Sequence, residues 1–376
     1  MLAFLLPTYD WASCSIKNED EAVFKKAFKD NKDVLLGCMA ASWFWILFWK
    51  KRLKEISESH IAFVFSGSFI YSYAFLALCR TTSTPAYVIE SLFTGNNFFC
   101  EERYHPIANK SKIKNKNYFN YLIHREKDKI SINREIVKGL NELRGMKNKN
   151  VTQPEPTTPP HFKNKGDIVL IAGQVINDFS LINNDEIHAS SIYTYIVAID
   201  RIINETELNV IVKCHPWEHK KDNLKKALTF EILNAWLQTK PEIIRDRVKI
   251  IENFNLNVLL SVSSHFITIC SQAGLEAAAA GLKPIIIGSS FYSEKGFTLE
   301  CKTPSEIGKI LSSKTPPSFL SIEEYKKFEE FFMVLTRLAT YKNTPEGVNK
   351  LQREFIKMSP IAWTQSQNTS ELSAGI

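Results

Sequence analysis

Between residues 168 and 288 the chain repeats one pattern, a short apolar run followed by a polar loop and then a stretch with helical spacing. The runs are IVLIAG (168–173), NVIVK (209–213), VKII (248–251), FITIC (266–270) and PIIIG (284–288). They are too short for buried helices, rich in β-branched side chains and close to continuously apolar, as strands covered on both faces are. Between them, Ile192, Tyr195, Ile196, Ile199 and Ile203 form a helical stripe. Further helices are expected at about 218–239, at about 255–260 and over QAGLEAAAAG (272–281). Strand and helix in alternation require a parallel sheet with helices on both faces, and a ligand then sits outside the carboxyl ends of the strands.

The same alternation is expected near the start. MLAFLLPTYD reads as a first buried strand and lacks the basic region of a secretory signal. Strands follow at 33–37, 61–67 and 86–90, with helical runs at 41–56 and 69–80. Residues 91–146 are polar and basic and are read as loops and helices, with NKSKIKNKN (109–117) as a solvated face. Four prolines at 154, 156, 159 and 160 exclude regular structure and mark an interdomain linker. The domain expectation is therefore a Rossmann-like domain at 1–150, a linker at 151–166, a second Rossmann-like domain at 167–320, and a C-terminal helix and tail at 321–376 that cross back to the first. In that tail SIEEYKKFEEFFMVLTRLATY (321–341) is an amphipathic helix, and the polar end after about residue 363 is read as outside the fold. Two such domains with a cleft between them and a crossing helix describe an α/β protein of GT-B type.

VLLGCMAASWFWILFWKKRLK (34–54) carries an uncharged run from Val34 to Trp49 followed by Lys50, Lys51 and Arg52. The run falls short of the ~20 residues that a spanning helix needs. It is read as a strand (Val34 to Gly37) and a packed helix. The second reading is an interfacial helix with Trp43, Trp45 and Trp49 near headgroups, which would give peripheral contact with the inner membrane. The seven cysteines are scattered and form no CxxC pair, so neither a disulfide framework nor a zinc site is expected, and reduced thiols point to the cytoplasm. A net charge of +7 suits an anionic ligand or a phospholipid surface, and no Arg-rich stripe points to nucleic acid.

The strand ends carry the chemistry. After the second strand of the 168–288 pattern, KCHP puts Lys213 and His215 at i and i+2, on one side if strand geometry persists, with Pro216 holding His215 extended and Cys214 pointing to the core. The pair reads as a cationic grip on a nucleotide phosphate. A lone histidine at a strand end is also an ordinary hydrogen-bonded structural residue. After the fourth strand, Ser271 caps the alanine-rich helix; free N–H groups around Gln272 and Ala273 could hold a phosphate, with Gly274 allowing close approach and Glu276 reaching ribose hydroxyls. On the plainer reading Ser271 only caps and Gly274 only packs. After the first strand, Asp178 lies between the strand and the helix start, with Asp185 and Glu186 read as caps.

GQVINDFS, VKCHPWE, CSQAGLEAAAAGLKPIIIG and FYSEKGFT, taken in this order, resemble the capsule-polysaccharide β-Kdo transferases of the KpsC/KpsS type. The resemblance covers residues 168 to 300. It implies a retaining GT-B glycosyltransferase that uses CMP-Kdo without a metal or other cofactor and transfers Kdo to a capsule or lipopolysaccharide glycan or lipid-linked acceptor. It implies Asp178 as a nucleophile acting by double displacement. Gln174, Lys213, His215, Pro216, Ser271, Gln272, Gly274, Glu276 and Tyr292 become the donor-binding set, and Glu90, at the end of AYVIE, becomes the acceptor-side base. The chain departs from the family pattern at Ser290, where proline is expected before Phe291-Tyr292, at Glu294-Lys295-Gly296 in place of Gly-Trp-Gly, and at Leu92 in place of a glycine. The other readings are a sialyltransferase-like or UDP-sugar enzyme, a UDP-GlcNAc 2-epimerase-like protein, and a non-catalytic capsule assembly or export partner.

Overall fold

A computed structural model describes all residues except 56–60, 92–96, 127–131, 145–153, 183–186, 221–223, 225 and 358–376. Asp185, Glu186 and the C-terminal tail beyond Lys357 lie outside the described residues. The described strands are β1 (Ala62–Phe65), β2 (Ala86–Ser91), β3 (Asn97–Glu102), β4 (Ile168–Ala172), β5 (Asn209–Lys213), β6 (Val248–Ile251), β7 (His265–Thr268), β8 (Pro284–Ile287), β9 (Leu299–Cys301) and β10 (Thr340–Lys342). The helices that matter below are α1 (Lys32–Glu55), α2 (Ile70–Thr81), α3 (Ser191–Glu205), α4 (Leu228–Gln238), α5 (Leu256–Val262), α6 (Ala273–Ala279) and α7 (Ile322–Met333).

The chain forms two compact α/β units. The larger takes residues 1–40 and 108–334, the smaller residues 41–107 and 335–376. The boundaries thus fall elsewhere than in the proline-rich stretch. That stretch lies within the larger unit, where Phe162 is buried against Leu170, Leu256 and Phe266 and the Pro154 carbonyl accepts from Asn255 Nδ2 at 2.8 Å.

The larger unit holds a six-stranded sheet in the order β6-β5-β4-β7-β8-β9, parallel throughout. This is a doubly wound order, with its switch between β4 and β7. Alternation along the strands splits the core. Val169, Ile171, Val210 and Val212 pack with Tyr195, Ile199 and Ile202 of α3 and Leu228 and Ile232 of α4. Leu170, Ala172 and Ile211 pack on the other face with Leu256, Leu259 and Leu260 of α5 and Ala277 of α6. Coverage on both faces explains why these runs are apolar at every position. Ser190 caps α3, accepting from Tyr193 N at 3.3 Å, and Asn255 caps α5, accepting from Val258 N at 3.3 Å.

The smaller unit holds a four-stranded sheet, β1-β2-β3-β10. Only β1 and β2 are parallel; β3 runs antiparallel to both β2 and β10, so this sheet is mixed rather than purely parallel. β3 arises inside the segment read as loops and helices. α7, in the larger unit, starts at a Ser321/Glu324 capping box and leads into a π-helical segment over Val334–Leu338, after which β10 pairs with β3.

Two expectations near the N-terminus are corrected. The first run forms short helices, Leu2–Leu5 and Tyr9–Ala12, not a strand. Val34 to Gly37 is also not a strand, because α1 runs unbroken from Lys32 to Glu55. By length and composition α1 could cross a membrane, and almost none of its apolar window is buried, so it is not a core helix either.

Candidate active site

Strand pairing sets a row of residues at the carboxyl edge of the larger sheet. Lys213 is opposite Ala172, Ala172 opposite Thr268, and Thr268 opposite Ile286. The loops after these positions carry the sequence-predicted site.

Gln174 crosses the switch point. Its Oε1 accepts from Cys270 N at 3.0 Å, its Nε2 donates to Ser180 Oγ at 3.3 Å, and its backbone N donates to the buried Tyr195 hydroxyl at 3.1 Å. It is 4% exposed and positions the loops after β4 and β7 against each other. Asp178 is one link further on. Its Oδ1 accepts from Ser180 N at 2.9 Å and from Ser180 Oγ at 2.7 Å, so this oxygen is fixed, while Oδ2 accepts no hydrogen bond among the described residues. Asp178 therefore caps the short Phe179–Ile182 helix with one oxygen and has a second available.

Lys213 ends β5 and is 8% exposed. Ile211, two residues earlier on the strand, and Ala172, opposite Lys213 on β4, pack with Ala277 of α6. Burial holds the Lys213 pKa below the ordinary lysine value, and burial raises that of Glu276, opposed by Lys213.

Cys214 points into the core, 1% exposed, as alternation requires. The strand stops at Lys213, so the alternation argument does not extend to His215. The histidine instead enters a turn, where Trp217 N donates to its Nδ1 at 3.1 Å. An acceptor at Nδ1 fixes the neutral tautomer with the proton on Nε2. Pro216 is trans.

Glu218 was read only as a helix start, and the structure gives it a larger part. It is 1% exposed; Oε1 accepts from Ile176 N at 3.0 Å and Thr229 Oγ1 at 2.7 Å, and Oε2 from Thr229 N at 2.8 Å. Burial raises its pKa, with the Thr229 and Ile176 hydrogen bonds opposing. This carboxylate ties the Asp178 loop, the His215 loop and the start of α4 together.

The turn before α6 differs from expectation. The helix begins after Gln272, and Ser271 Oγ accepts from Ala273 N at 3.2 Å while its carbonyl accepts from Gly274 N at 3.1 Å. The Ala273 N–H is therefore not free for a phosphate. Gly274 is explained by Tyr292, since a Cβ there would lie 2.2 Å from the Tyr292 hydroxyl. Tyr292 is fully buried and donates to the Ser271 carbonyl at 2.5 Å, so it shapes the turn from beneath.

Lys295 and Lys114 were not singled out. Lys295 Nζ donates to the Lys114 carbonyl at 2.5 Å, and Lys114 Nζ donates to Ser289 Oγ in the loop after β8. Burial pushes Lys295 down to about 8, with the Lys114 charge contributing. The available signal was Lys295 standing where the family pattern has tryptophan. Glu90 lies on β2 of the smaller unit, opposite Phe99. His105, in the same unit, accepts at Nε2 from Arg103 Nη2 at 3.0 Å. Among the described residues no group of three or more His, Cys, Asp or Glu is placed to hold a metal ion.

A doubly wound α/β unit with polar, loop-borne side chains at its switch point defines the class. Residues 91–309 match the model of the capsule polysaccharide biosynthesis protein family. More than half of the chain is covered, and the protein belongs to that family. No curated protein sequence matches the chain. Among solved structures it is similar to Thermosulfurimonas dismutans KpsC, β-Kdo 2,7 transferase, with 15% identity over 82% of this chain and 88% of that one and a TM-score of 0.49. It is also similar to the β-Kdo 2,4 transferase of the same KpsC, with 17% identity over 76% of this chain and 81% of that one and a TM-score of 0.47. A UDP-N-acetylglucosamine 2-epimerase shows 14% identity over 77% of this chain and 71% of that one, with a TM-score of 0.31.

Proposed function

We propose that this capsule polysaccharide biosynthesis protein is a retaining glycosyltransferase that moves Kdo, or a related ulosonic acid, from a CMP-activated donor to a glycan or lipid-linked glycan acceptor. The observation that carries the reading is Asp178: a carboxylate at the switch point of a doubly wound sheet, with one oxygen fixed by Ser180 and the other accepting no hydrogen bond among the described residues.

In this reading Asp178 Oδ2 attacks the anomeric carbon. The bond from that carbon to the phosphate oxygen breaks and its electron pair leaves with CMP. Lys213 and the Nε2–H of His215 meet the charge of the departing phosphate, and Glu276 takes the ribose hydroxyls. An acceptor hydroxyl then displaces the Asp178 carboxylate, and two inversions restore the donor configuration. The hydroxyl proton goes to a base, for which Glu90 is the residue supplied by the sequence resemblance. Gln174, Glu218 and Tyr292 position the loops and need not touch donor. No metal is called for in this scheme, because the leaving group's charge is met by side chains.

The test is incubation with CMP-Kdo followed by intact-mass measurement and a transfer assay. Wild-type protein is expected to gain the mass of one sugar residue. Asp178→Ala is expected to lose the adduct and on the order of 10³-fold or more of transfer, while CMP binding persists. An active Asp178→Ala protein would exclude the nucleophile role.

A further inference from the structure

α1 exposes an unusual face. Leu36, Met39, Trp43 and Leu47 are 46%, 52%, 65% and 49% exposed and recur at spacings of three and four, so they form one stripe along the helix. Continued by the same spacing, the stripe reaches the exposed Lys50, Lys51 and Lys54. Other sides are occupied: Leu35 packs with Trp11 and Val23, and Trp49 donates to the Tyr71 carbonyl at 2.8 Å and meets the Phe75 ring at a tilt. An apolar stripe of about three turns, ~17 Å, running into lysines has the chemistry of a phospholipid surface, with acyl chains under the first part and phosphates under the second.

Chain topology decides between lying on a bilayer and crossing it. Residues before α1 are hydrogen-bonded to residues far beyond it: Ala189 N donates to the Ile16 carbonyl at 2.8 Å, Asn18 N to the Ile187 carbonyl at 2.9 Å, and Asn177 Nδ2 to the Ala3 carbonyl at 3.2 Å. A single crossing by α1 would put these partners on opposite sides. α1 is the one helix among the described residues long and apolar enough to cross, so among them no second crossing returns the chain.

We propose that α1 lies in the headgroup region of an anionic phospholipid bilayer, parallel to its surface, with Trp43 and Leu47 inserted and Lys50, Lys51 and Lys54 on phosphates. This is independent of the donor chemistry and would stand if the CMP reading failed.

The experiment is flotation of the full chain with phosphatidylcholine vesicles and with vesicles containing phosphatidylglycerol. Binding to the anionic vesicles is expected to be on the order of 100-fold stronger at low salt and to fall as salt is raised. Trp43→Glu with Leu47→Glu is expected to abolish it; Lys50→Gln, Lys51→Gln and Lys54→Gln together are expected to remove the anionic preference. Quenching of wild-type tryptophan fluorescence by vesicles of brominated lipid reads insertion without any variant. Failure to bind either vesicle, absence of quenching, or a wild-type dimer that Trp43→Glu with Leu47→Glu dissociates would overturn the proposal, the last by showing that a second copy covers the face. Tags at the two termini found on opposite sides of the membrane of a bacterial host would overturn it in favour of a span.

Discussion

Gly274 has no side chain because the Tyr292 hydroxyl fills the place where one would stand. Alanine is intrinsically better than glycine in a helix by ~0.5–1 kcal/mol, so an exposed helical glycine gains from this change. Here the sign reverses: Gly274→Ala is expected to destabilise by about 1–3 kcal/mol through overpacking, seen as a lower denaturation midpoint in urea. An unchanged or raised midpoint would mean that Tyr292 does not occupy the site described. At this scale the sequence was partly legible. Cys214 facing the core followed from alternation alone. The Ser271 turn did not, because hydrogen bonds from a serine hydroxyl to the next amides depend on local dihedrals that spacing does not encode. Asp178 was legible as a loop carboxylate, but not the division of its two oxygens, which needs the position of Ser180.

The loops after β4 and β5 behave as one element because Glu218 bonds to Ile176 and Thr229 together. Glu218→Ala would leave buried N–H donors unpaired, and a loss of about 2–4 kcal/mol is expected, with weaker CMP binding because His215 sits on a loosened loop. A variant with native stability and native affinity would show that the loops hold without it. Glutamate two residues after a proline looks like any exposed helix-start acid, so its burial could not be read in advance. The strands of the larger sheet were readable because both faces are covered, which forces continuous apolar runs. β3, β9 and β10 were not, since NFFCEE, LEC and TYK are short and part polar, as antiparallel or edge strands can be. VLLG was misread as a strand because a four-residue apolar run has no period that separates strand from helix. The 24-residue length of α1 became visible only with its flanking Lys32-Asp33 and Lys50–Glu55 included.

Across the whole molecule, the division into units is the feature that linear reading handles worst. Each unit is built from two separated pieces of chain, so no composition shift marks the boundaries, and the proline-rich stretch that looks like a linker is packed within one of them. The doubly wound order, by contrast, follows from the repeat of strand and helix, and it places Asp178, His215 and Ser271 on loops from one sheet edge. That shared edge underlies the central claim that this chain handles a CMP-activated sugar. The most direct measurement is calorimetric titration of the full chain with CMP and with UDP, using His215→Ala and Lys213→Ala as controls. The account predicts CMP binding at least about tenfold tighter than UDP, with either substitution weakening CMP by about 1.5–3 kcal/mol, as loss of a hydrogen bond to a charged group does. Tighter binding of UDP, or CMP binding indifferent to both substitutions, would contradict it.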